Sequence, residues 1–257
     1  MIGYCPLASG SKGNCIYFGS KKAKILIDAG LSYSQVCQRL EKIDVKIEDI
    51  DAILITHEHS DHIAGLKILT DKLGIEVFAN SDTAKSIYNN LHILPKFRIF
   101  TTSQTFEYKD LTILPFSIPH DTLDPVGFVI EYENLKFGFC TDLGFISSLV
   151  KYTLKDLDYL YIEANHQTSM VHSSNRSYVY KQRVLSRLGH LSNEDCLKLL
   201  DEIIHPNLKH IHIAHISGEC NSKQLIEENF LRLLRIKNPK TQLSLAHQDT
   251  ISKKILF

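Results

Sequence analysis

The stretch Ala52-Ile53-Leu54-Ile55-Thr56-His57-Glu58-His59-Ser60-Asp61-His62 decides the fold. Its first four residues form a short apolar run, which predicts a strand buried on both faces. His57 and His59 follow directly and alternate, so both side chains can point to one side of an extended chain. Asp61 and His62 then open a helix. Four metal-binding side chains within six positions at a strand-to-helix junction predict a metal site.

The composition is that of a globular protein with a sizeable core. The chain has 257 residues, of which 44% are hydrophobic and 23% charged. We expect one domain spanning residues 1–257, because no linker rich in Pro, Gly or Ser and no internal repeat interrupts it. The sequence contains no run of about 18 apolar residues, so we expect no membrane association. Its first residues do not resemble a secretory signal, which favours the cytoplasm.

The overall charge does not indicate a polyanionic partner, and the cysteine pattern does not indicate a disulfide framework. Lys and Arg number 29, as do Asp and Glu, so a nucleic-acid contact would need a local basic patch. The six cysteines are scattered without a CxxC pair, which favours thiols over a disulfide framework. No sequence feature specifies an oligomeric state.

Strands and helices alternate along the chain in a pattern typical of an α/β sandwich. The predicted strands are 2–7, 15–18, 24–27, 52–55, 77–79, 111–118, 126–132, 135–140, 159–162 and 210–214. The predicted helices are 32–40, 61–73, 81–91, 178–188, 192–204 and 223–234. The loop Ser9–Asn14 is predicted to form a hairpin turn, since the spacing of a phosphate-binding Walker loop is absent.

Four further metal-ligand or carboxylate residues each end an apolar strand. They are Asp28, His120, Asp142 and His215. A lone His or Asp at a strand end is more often a cap or a loop residue. Their order beside the His57–His62 motif favours His120, Asp142 and His215 as ligands.

These residues resemble the metallo-β-lactamase superfamily. The resemblance implies a four-layer αββα sandwich. It also implies that one metal ion takes His57, His59 and His120, and that a second takes Asp61, His62 and His215. Asp142 would bridge the two ions, and Asp28 would be an outer partner that holds the ligand loop.

Nitrogen and carboxylate donors suit two divalent ions, zinc or manganese, and also iron. Two such ions activate a water molecule and stabilise charge on a phosphoryl or acyl oxygen, which predicts hydrolysis. Asp61 is therefore counted among the catalytic residues as well as the ligands.

A second pair of residues indicates a general acid. Glu163 follows a strand in Ile162-Glu163-Ala164, and His190 precedes a helix in Gly189-His190-Leu191-Ser192. These positions resemble the phosphodiesterase branch of the superfamily that includes the tRNA 3′-processing endonuclease. There the Glu orients the His, which gives a proton to the leaving oxygen. The alternative is that Glu163 is a structural residue and His190 a helix-entry residue.

The motifs together resemble the YycJ/WalJ/VicX group of bacterial metallo-hydrolases over nearly the whole chain. They include Leu7–Asn14, Glu163–His166, Gly189–Glu194 and Ala214–Asn221. The resemblance implies a metal-dependent phosphodiesterase that acts on DNA with 5′-to-3′ exonuclease activity. Asn221 would contact the substrate. The chain departs from the group at Cys220, where Asn is usual.

A basic segment supports a polyanionic substrate without the resemblance. Residues 164–193 contain no Asp or Glu, and they include Arg176, Lys181 and Arg183. Such side chains neutralise phosphates, and the aromatic rings among them can stack on bases. The alternative is a solvated helix face.

Three other functions are alternatives to a DNA nuclease. The metal ions could hydrolyse a small phosphodiester or a thioester. A thiolate leaving group, however, needs no proton donor such as His190. A di-iron redox protein is a different class. Those proteins generally replace a histidine of the first motif with a carboxylate and carry a flavin domain, and neither feature is present.

Overall fold

The computed structural model describes residues 1–257. The strands are β1 (Gly3–Ala8), β2 (Cys15–Gly19), β3 (Lys24–Ile27), β4 (Ala52–Leu54), β5 (Glu76–Ala79), β6 (Lys96–Ile99), β7 (Phe106–Tyr108), β8 (Leu111–Ser117), β9 (Val126–Tyr132), β10 (Leu135–Cys140), β11 (Tyr159–Glu163), β12 (His210–Ala214), β13 (Gln242–Leu245) and β14 (Ile255–Leu256). The helices are α1 (Tyr33–Glu41), α2 (Ser60–Ile63), α3 (Leu66–Leu73), α4 (Ser81–Leu91), α5 (Ser148–Thr153), α6 (Thr168–Ser173), α7 (Tyr178–Leu185), α8 (Asn193–Ile203) and α9 (Lys223–Lys237).

The chain divides into two compact units. The first unit comprises Met1–Pro115, Thr122–Val126 and Ala246–Phe257. The second comprises Phe116–Asp121 and Gly127–Leu245. The expectation of one domain over residues 1–257 stays a prediction.

The first sheet lies within the first unit and has the strand order β14-β1-β2-β3-β4-β5-β6. Strands β1 to β3 pair antiparallel, whereas β3 to β6 pair parallel. The parallel strands need crossover connections, which α1, the pair α2 and α3, and α4 supply in turn. Strand β4 is fully buried, as its apolar run predicts for a central parallel strand. The parallel pairing aligns the carboxyl ends of β3 and β4, from which Asp28 and the His57 loop emerge.

The second sheet has the strand order β13-β12-β11-β10-β9-β8-β7. Strands β9 and β10 form an antiparallel hairpin, and β10 to β13 pair parallel. In the second unit, the carboxyl ends of β10, β11 and β12 therefore lie side by side. Asp142, Glu163 and His215 are placed at this common edge.

The prediction of one continuous helix from Asp61 to Leu73 is wrong. It is divided into α2 and α3, and Gly65 lies between them. The Gly65 N–H donates to the Ala29 carbonyl oxygen at 2.8 Å, and a Cβ at this position would overlap the Leu31 carbonyl oxygen. The close approach of the chain after β3 therefore ends α2 early and requires glycine.

Some short or exposed strands and helices were not predicted from the sequence. Strand β6 has mostly exposed residues and β14 is only two residues long, so neither has a clear apolar alternation. The helices α5 and α6 were also not predicted, because each has only six residues. Helix α7 ends at Leu185 instead of continuing to residue 188. No helix of the structure is long and apolar enough to span a membrane.

Candidate metal centre

The first cluster of ligand residues follows β4 in the first unit. His57 and His62 are fully buried, and their ring centroids are 4.0 Å apart. His59 lies against His57 in an edge-on arrangement with centroids 4.9 Å apart. Asp61 Oδ2 is 3.5 Å from His62 Nε2. The structure thus brings together all four residues of the motif, three imidazoles and one carboxylate.

Asp28 orients this cluster from the end of β3. Its Oδ2 accepts a hydrogen bond from His62 Nδ1 at 2.8 Å. Its Oδ1 accepts one from the Thr56 N–H at 2.9 Å. Because Nδ1 of His62 faces a carboxylate, it carries the proton, and Nε2 presents a lone pair on the opposite side of the ring. That is the form of imidazole that binds a metal ion.

Main-chain hydrogen bonds hold the ligand residues in place. The Asn14 N–H donates to the Asp61 carbonyl oxygen at 2.7 Å, and the Ala29 N–H donates to that of His62 at 2.7 Å. Gly30 lies so close to this loop that a Cβ would overlap the Asp61 carbonyl oxygen. The backbone after β3 and the loop before β2 therefore fix Asp61 and His62.

The second cluster lies in the second unit, around the buried carboxylate of Asp142. Asp142 Oδ1 is 3.8 Å from His120 Nε2 and 3.5 Å from His215 Nε2. It is 3.7 Å from Nδ1 of His190. Asp142, His190 and His215 each have a ligand atom within 4.8 Å of the others, which is close enough for one ion.

Glu163, the last residue of β11, binds two histidines of this cluster. Its Oε1 accepts hydrogen bonds from His190 Nδ1 at 2.8 Å and from His215 Nδ1 at 3.0 Å. Its Oε2 accepts one from the Leu143 N–H at 2.7 Å. The sequence predicted the Glu163–His190 pair, but not that the same carboxylate also orients His215.

The electrostatics of this pair favour opposite charges. Burial by itself would raise the pKa of Glu163, but His190 and His215 outweigh it and hold that pKa well below its usual range. Burial by itself would lower the pKa of His190, but the Glu163 carboxylate outweighs it and raises that pKa. A protonated His190 beside an ionised Glu163 is suited to donate a proton.

His120 has a different environment. Its Nδ1 donates to the Gly189 carbonyl oxygen at 3.1 Å, which leaves Nε2 on the side of Asp142. Burial lowers the pKa of His120. A neutral imidazole whose Nδ1 is hydrogen-bonded to a carbonyl group is the usual state of a metal-binding histidine.

Three of these residues have an unusual backbone conformation. Asp28, Asp142 and His215 have φ angles of 62°, 59° and 50°, in the left-handed region that favours glycine. Each follows the carboxyl end of a strand. Strain of this kind collects at functional sites, where side-chain position outweighs backbone preference.

The predicted substrate residues have varied surroundings. Arg176 is paired with Glu219 and lies over the Tyr180 ring at 5.0 Å. Arg183 Nε donates to Asp121 Oδ2 at 2.8 Å, and Lys181 Nζ donates to the His172 carbonyl oxygen at 2.7 Å. These three cations lie at the surface on or beside α7.

Asn221, by contrast, is buried. Its Nδ2 donates to the carbonyl oxygens of Ala164 and Asn165 at 3.0 and 2.9 Å. It also lies 2.9 Å from Oδ1 of Asn193. The amide thus ties the loop after His215 to the loop after β11.

The donor set of both clusters fits a divalent metal ion. It consists of imidazole nitrogens and carboxylate oxygens, which zinc, manganese and iron accept. Burial raises the pKa of the Cys140 and Cys196 thiols, and every group of side chains close enough to hold one ion consists of histidine and aspartate alone. The imidazoles of His62 and His215 are oriented by carboxylates, as those of metal ligands are.

Sequence reasoning missed Asn14 as a member of the first cluster. Its Nδ2 lies 3.1 Å from Asp61 Oδ2 and 2.9 Å from His62 Nε2. Strands β1 and β2 do pair antiparallel, as the predicted hairpin requires. The available signal was the side chain itself, an amide at the end of a glycine-containing loop directly before a buried strand.

The chain matches known proteins over most of its length. The model of the "Beta-lactamase superfamily domain" matches residues 23–213. An exodeoxyribonuclease WalJ from Streptococcus pneumoniae is 38% identical over 226 residues, which cover 86% of this chain and 84% of the relative. An exodeoxyribonuclease YycJ from Bacillus anthracis is 34% identical over 234 residues, which cover 90% and 88%.

Solved structures share the fold at low sequence identity. The metallo-β-lactamase fold protein YhfI from Bacillus subtilis has a TM-score of 0.72 and 12% identity, with 96% of this chain and 97% of that chain covered. Zinc-bound PqqB from Methylobacterium extorquens has a TM-score of 0.72 and 16% identity, with 97% and 99% covered. The predicted fold class, an α/β sandwich of the metallo-β-lactamase type, is confirmed. By both the family model and its relatives, the chain belongs to the β-lactamase superfamily.

Proposed function

We propose that the protein is a metal-dependent phosphodiesterase that degrades DNA as an exonuclease, in the 5′-to-3′ direction. The names of the WalJ and YycJ relatives support the substrate and the mode of cleavage. The observation that carries the chemistry is the hydrogen bond between Glu163 and His190 at 2.8 Å. A buried carboxylate paired with an imidazole of raised pKa is what protonation of a departing alkoxide requires.

The ligand assignment proposed here follows the family pattern. His57, His59 and His120 would hold one divalent ion, and Asp61, His62 and His215 a second, with Asp142 bridging them. When bound, the two ions supply an activated water and stabilise negative charge on the phosphoryl group. Zinc or manganese fits this set best, and iron is compatible with it.

The remaining residues would orient the metal-binding histidines, protonate the leaving oxygen and bind the phosphates of the substrate. Asp28 fixes the tautomer of His62 through Nδ1. Glu163 does the same for His215 and holds His190, so the second ring nitrogen of His190 is the one that would protonate the leaving oxygen. Arg176, Lys181 and Arg183 would contact backbone phosphates, exchanging their present partners for the substrate. Three further expectations stay predictions. Asn221 would contact the substrate, residues 1–257 would act as one domain, and the protein would be located in the cytoplasm.

The test is cleavage of 5′-labelled single-stranded and double-stranded DNA, with RNA of the same sequence beside it. Protein loaded with manganese or zinc is compared with Asp61→Ala protein prepared identically, which controls for contaminating nucleases. Metal-dependent DNA degradation that the variant lacks would support the proposal. If two metal ions bind but no polymer is cleaved, the substrate is a small phosphodiester or thioester.

A further inference from the structure

Asn14 contacts two of the proposed ligands of one metal ion, although neither its position nor its residue type marks it as a ligand. It lies at the end of the loop between β1 and β2 and is 5% exposed. We propose that Asn14 is a positioning residue, whose side-chain amide holds Asp61 and supplies hydrogen-bond donors that match the metal-bound form of the site. This inference rests on the ligand assignment proposed above.

The orientation of the Asn14 amide is fixed by its oxygen. Oδ1 accepts a hydrogen bond from the Gly10 N–H at 2.8 Å. Because an N–H group donates to this atom, it must be the carbonyl oxygen, and the NH₂ group must face Asp61 and His62. The main chain adds a second restraint, since the Asn14 N–H donates to the Asp61 carbonyl oxygen and the Asn14 carbonyl oxygen accepts from the Gly30 N–H.

The number of acceptors around the NH₂ group exceeds its number of hydrogens. Nδ2 lies 3.2 Å from the Gly10 carbonyl oxygen, 3.1 Å from Asp61 Oδ2 and 2.9 Å from His62 Nε2. An amide NH₂ group has only two hydrogens to donate. While all three acceptors are present, the two hydrogens of the Asn14 amide must therefore be shared among them.

Metal binding would remove the excess acceptor. His62 Nδ1 donates to Asp28, so Nε2 carries the lone pair that a metal ion would take. Two acceptors then remain, the Gly10 carbonyl oxygen and Asp61 Oδ2, one for each hydrogen of the Asn14 amide. The donors of Asn14 thus match the metal-bound site better than the metal-free one.

The hydrogen bond to Asp61 Oδ2 has a consequence for affinity. It restrains the rotation of a carboxylate that is partly accessible at the surface of the cluster. Losing an outer hydrogen-bond partner of a metal ligand typically weakens metal binding by about 10–100-fold. The loss should fall on the ion held by Asp61 and His62 and spare the ion held by His57 and His59.

The experiment measures zinc affinity by competition with a chromophoric chelator, without any DNA. The variants are Asn14→Ala and Asn14→Leu, of which the second keeps the buried volume. Asn80→Ala is the matched control, because Asn80 is also a buried amide of the first unit and caps α4. We expect both Asn14 variants to bind one zinc ion like the wild type and the other about 10–100-fold more weakly.

Three results would overturn the inference. Two unchanged affinities would show that the Asn14 amide does not serve the site. Equal weakening of both ions, matched by Asn80→Ala, would show a general loss of structure. Failure of the wild-type protein to bind a second zinc ion would overturn the ligand assignment itself, so the two proposals fail in different ways.

Discussion

Oε1 of Glu163 lies 2.8 Å from Nδ1 of His190, at the carboxyl end of a buried parallel strand. The same oxygen also accepts a hydrogen bond from His215. One carboxylate thus orients both the proposed general acid and a proposed metal ligand. Loss of Glu163 should therefore disturb two functions, whereas loss of His190 should disturb only one.

His190→Ala should slow the chemical step without loss of metal. General acid catalysis contributes roughly 10²–10⁴-fold, so we expect a decrease of that size in the single-turnover rate of DNA cleavage. Metal content, measured on the same samples, should equal that of the wild-type protein. An unchanged rate would remove His190 from the mechanism.

Asp28→Asn should weaken metal binding without changing the size of the side chain. The carboxylate fixes the His62 tautomer, and an amide cannot stabilise the same proton equally. We expect a decrease in zinc affinity of about 10–100-fold, measured by chelator competition. Asp51→Asn is the control, since Asp51 accepts a hydrogen bond from the Lys24 N–H in the same unit but lies outside the cluster. Equal affinities for Asp28→Asn and wild-type protein would contradict the role of Asp28.

Replacing Arg176, Lys181 and Arg183 together with Ala should weaken DNA binding and reduce its salt dependence. Each lost phosphate contact lowers the slope of log K against log salt by about 0.9 on duplex DNA and about 0.7 on single strands. The control replaces Lys151, Lys198 and Lys209, which are also surface cations of the second unit and are each paired with a carboxylate. Binding should be measured by fluorescence anisotropy over a range of salt concentrations. An equal salt slope in both triple variants would mean that the segment at α7 is an ordinary solvated face.

The stability of the metal-free protein should depend on pH through Glu163 and His190. Neighbouring imidazoles hold the pKa of Glu163 below its ordinary value of 4.5, against the effect of burial. The Glu163 carboxylate holds the pKa of His190 above its ordinary value of 6.5, again against burial. The carboxylate contribution is complete above its unfolded pKa and is lost as pH falls. The imidazole contribution is complete below its unfolded pKa and is lost as pH rises through the folded value.

The difference in free energy of unfolding between wild type and Glu163→Gln should therefore be largest between about pH 4.5 and 6.5. It should decline on both sides of that window. Urea unfolding of metal-free protein at several pH values measures it. A difference that is constant with pH would show that Glu163 contributes packing alone.

Much of the site was predictable because its chemistry is concentrated in short stretches. The His57–His62 motif needs only the local geometry of a strand followed by a helix. His120, Asp142 and His215 could be found because apolar strands precede them and the superfamily pattern gives their order. The confirmed fold class followed from the same alternation of strands and helices.

Other features depend on contacts between distant parts of the chain. The hydrogen bond of Glu163 to His215 depends on two adjacent parallel strands. The approach of Asn14 to Asp61 depends on the fold of the loop between β1 and β2. The break at Gly65 depends on the Leu31 carbonyl oxygen, which no local pattern reveals.

The central claim is tested most directly by DNA hydrolysis as a function of bound metal. Metal-free protein is titrated with manganese, and the rate of degradation of linear DNA is measured together with the number of ions bound per chain. The account predicts that activity rises as the metal content increases from one ion to two, and that Asp61→Ala protein stays inactive throughout. Full activity of the metal-free or singly loaded protein would contradict a two-metal centre.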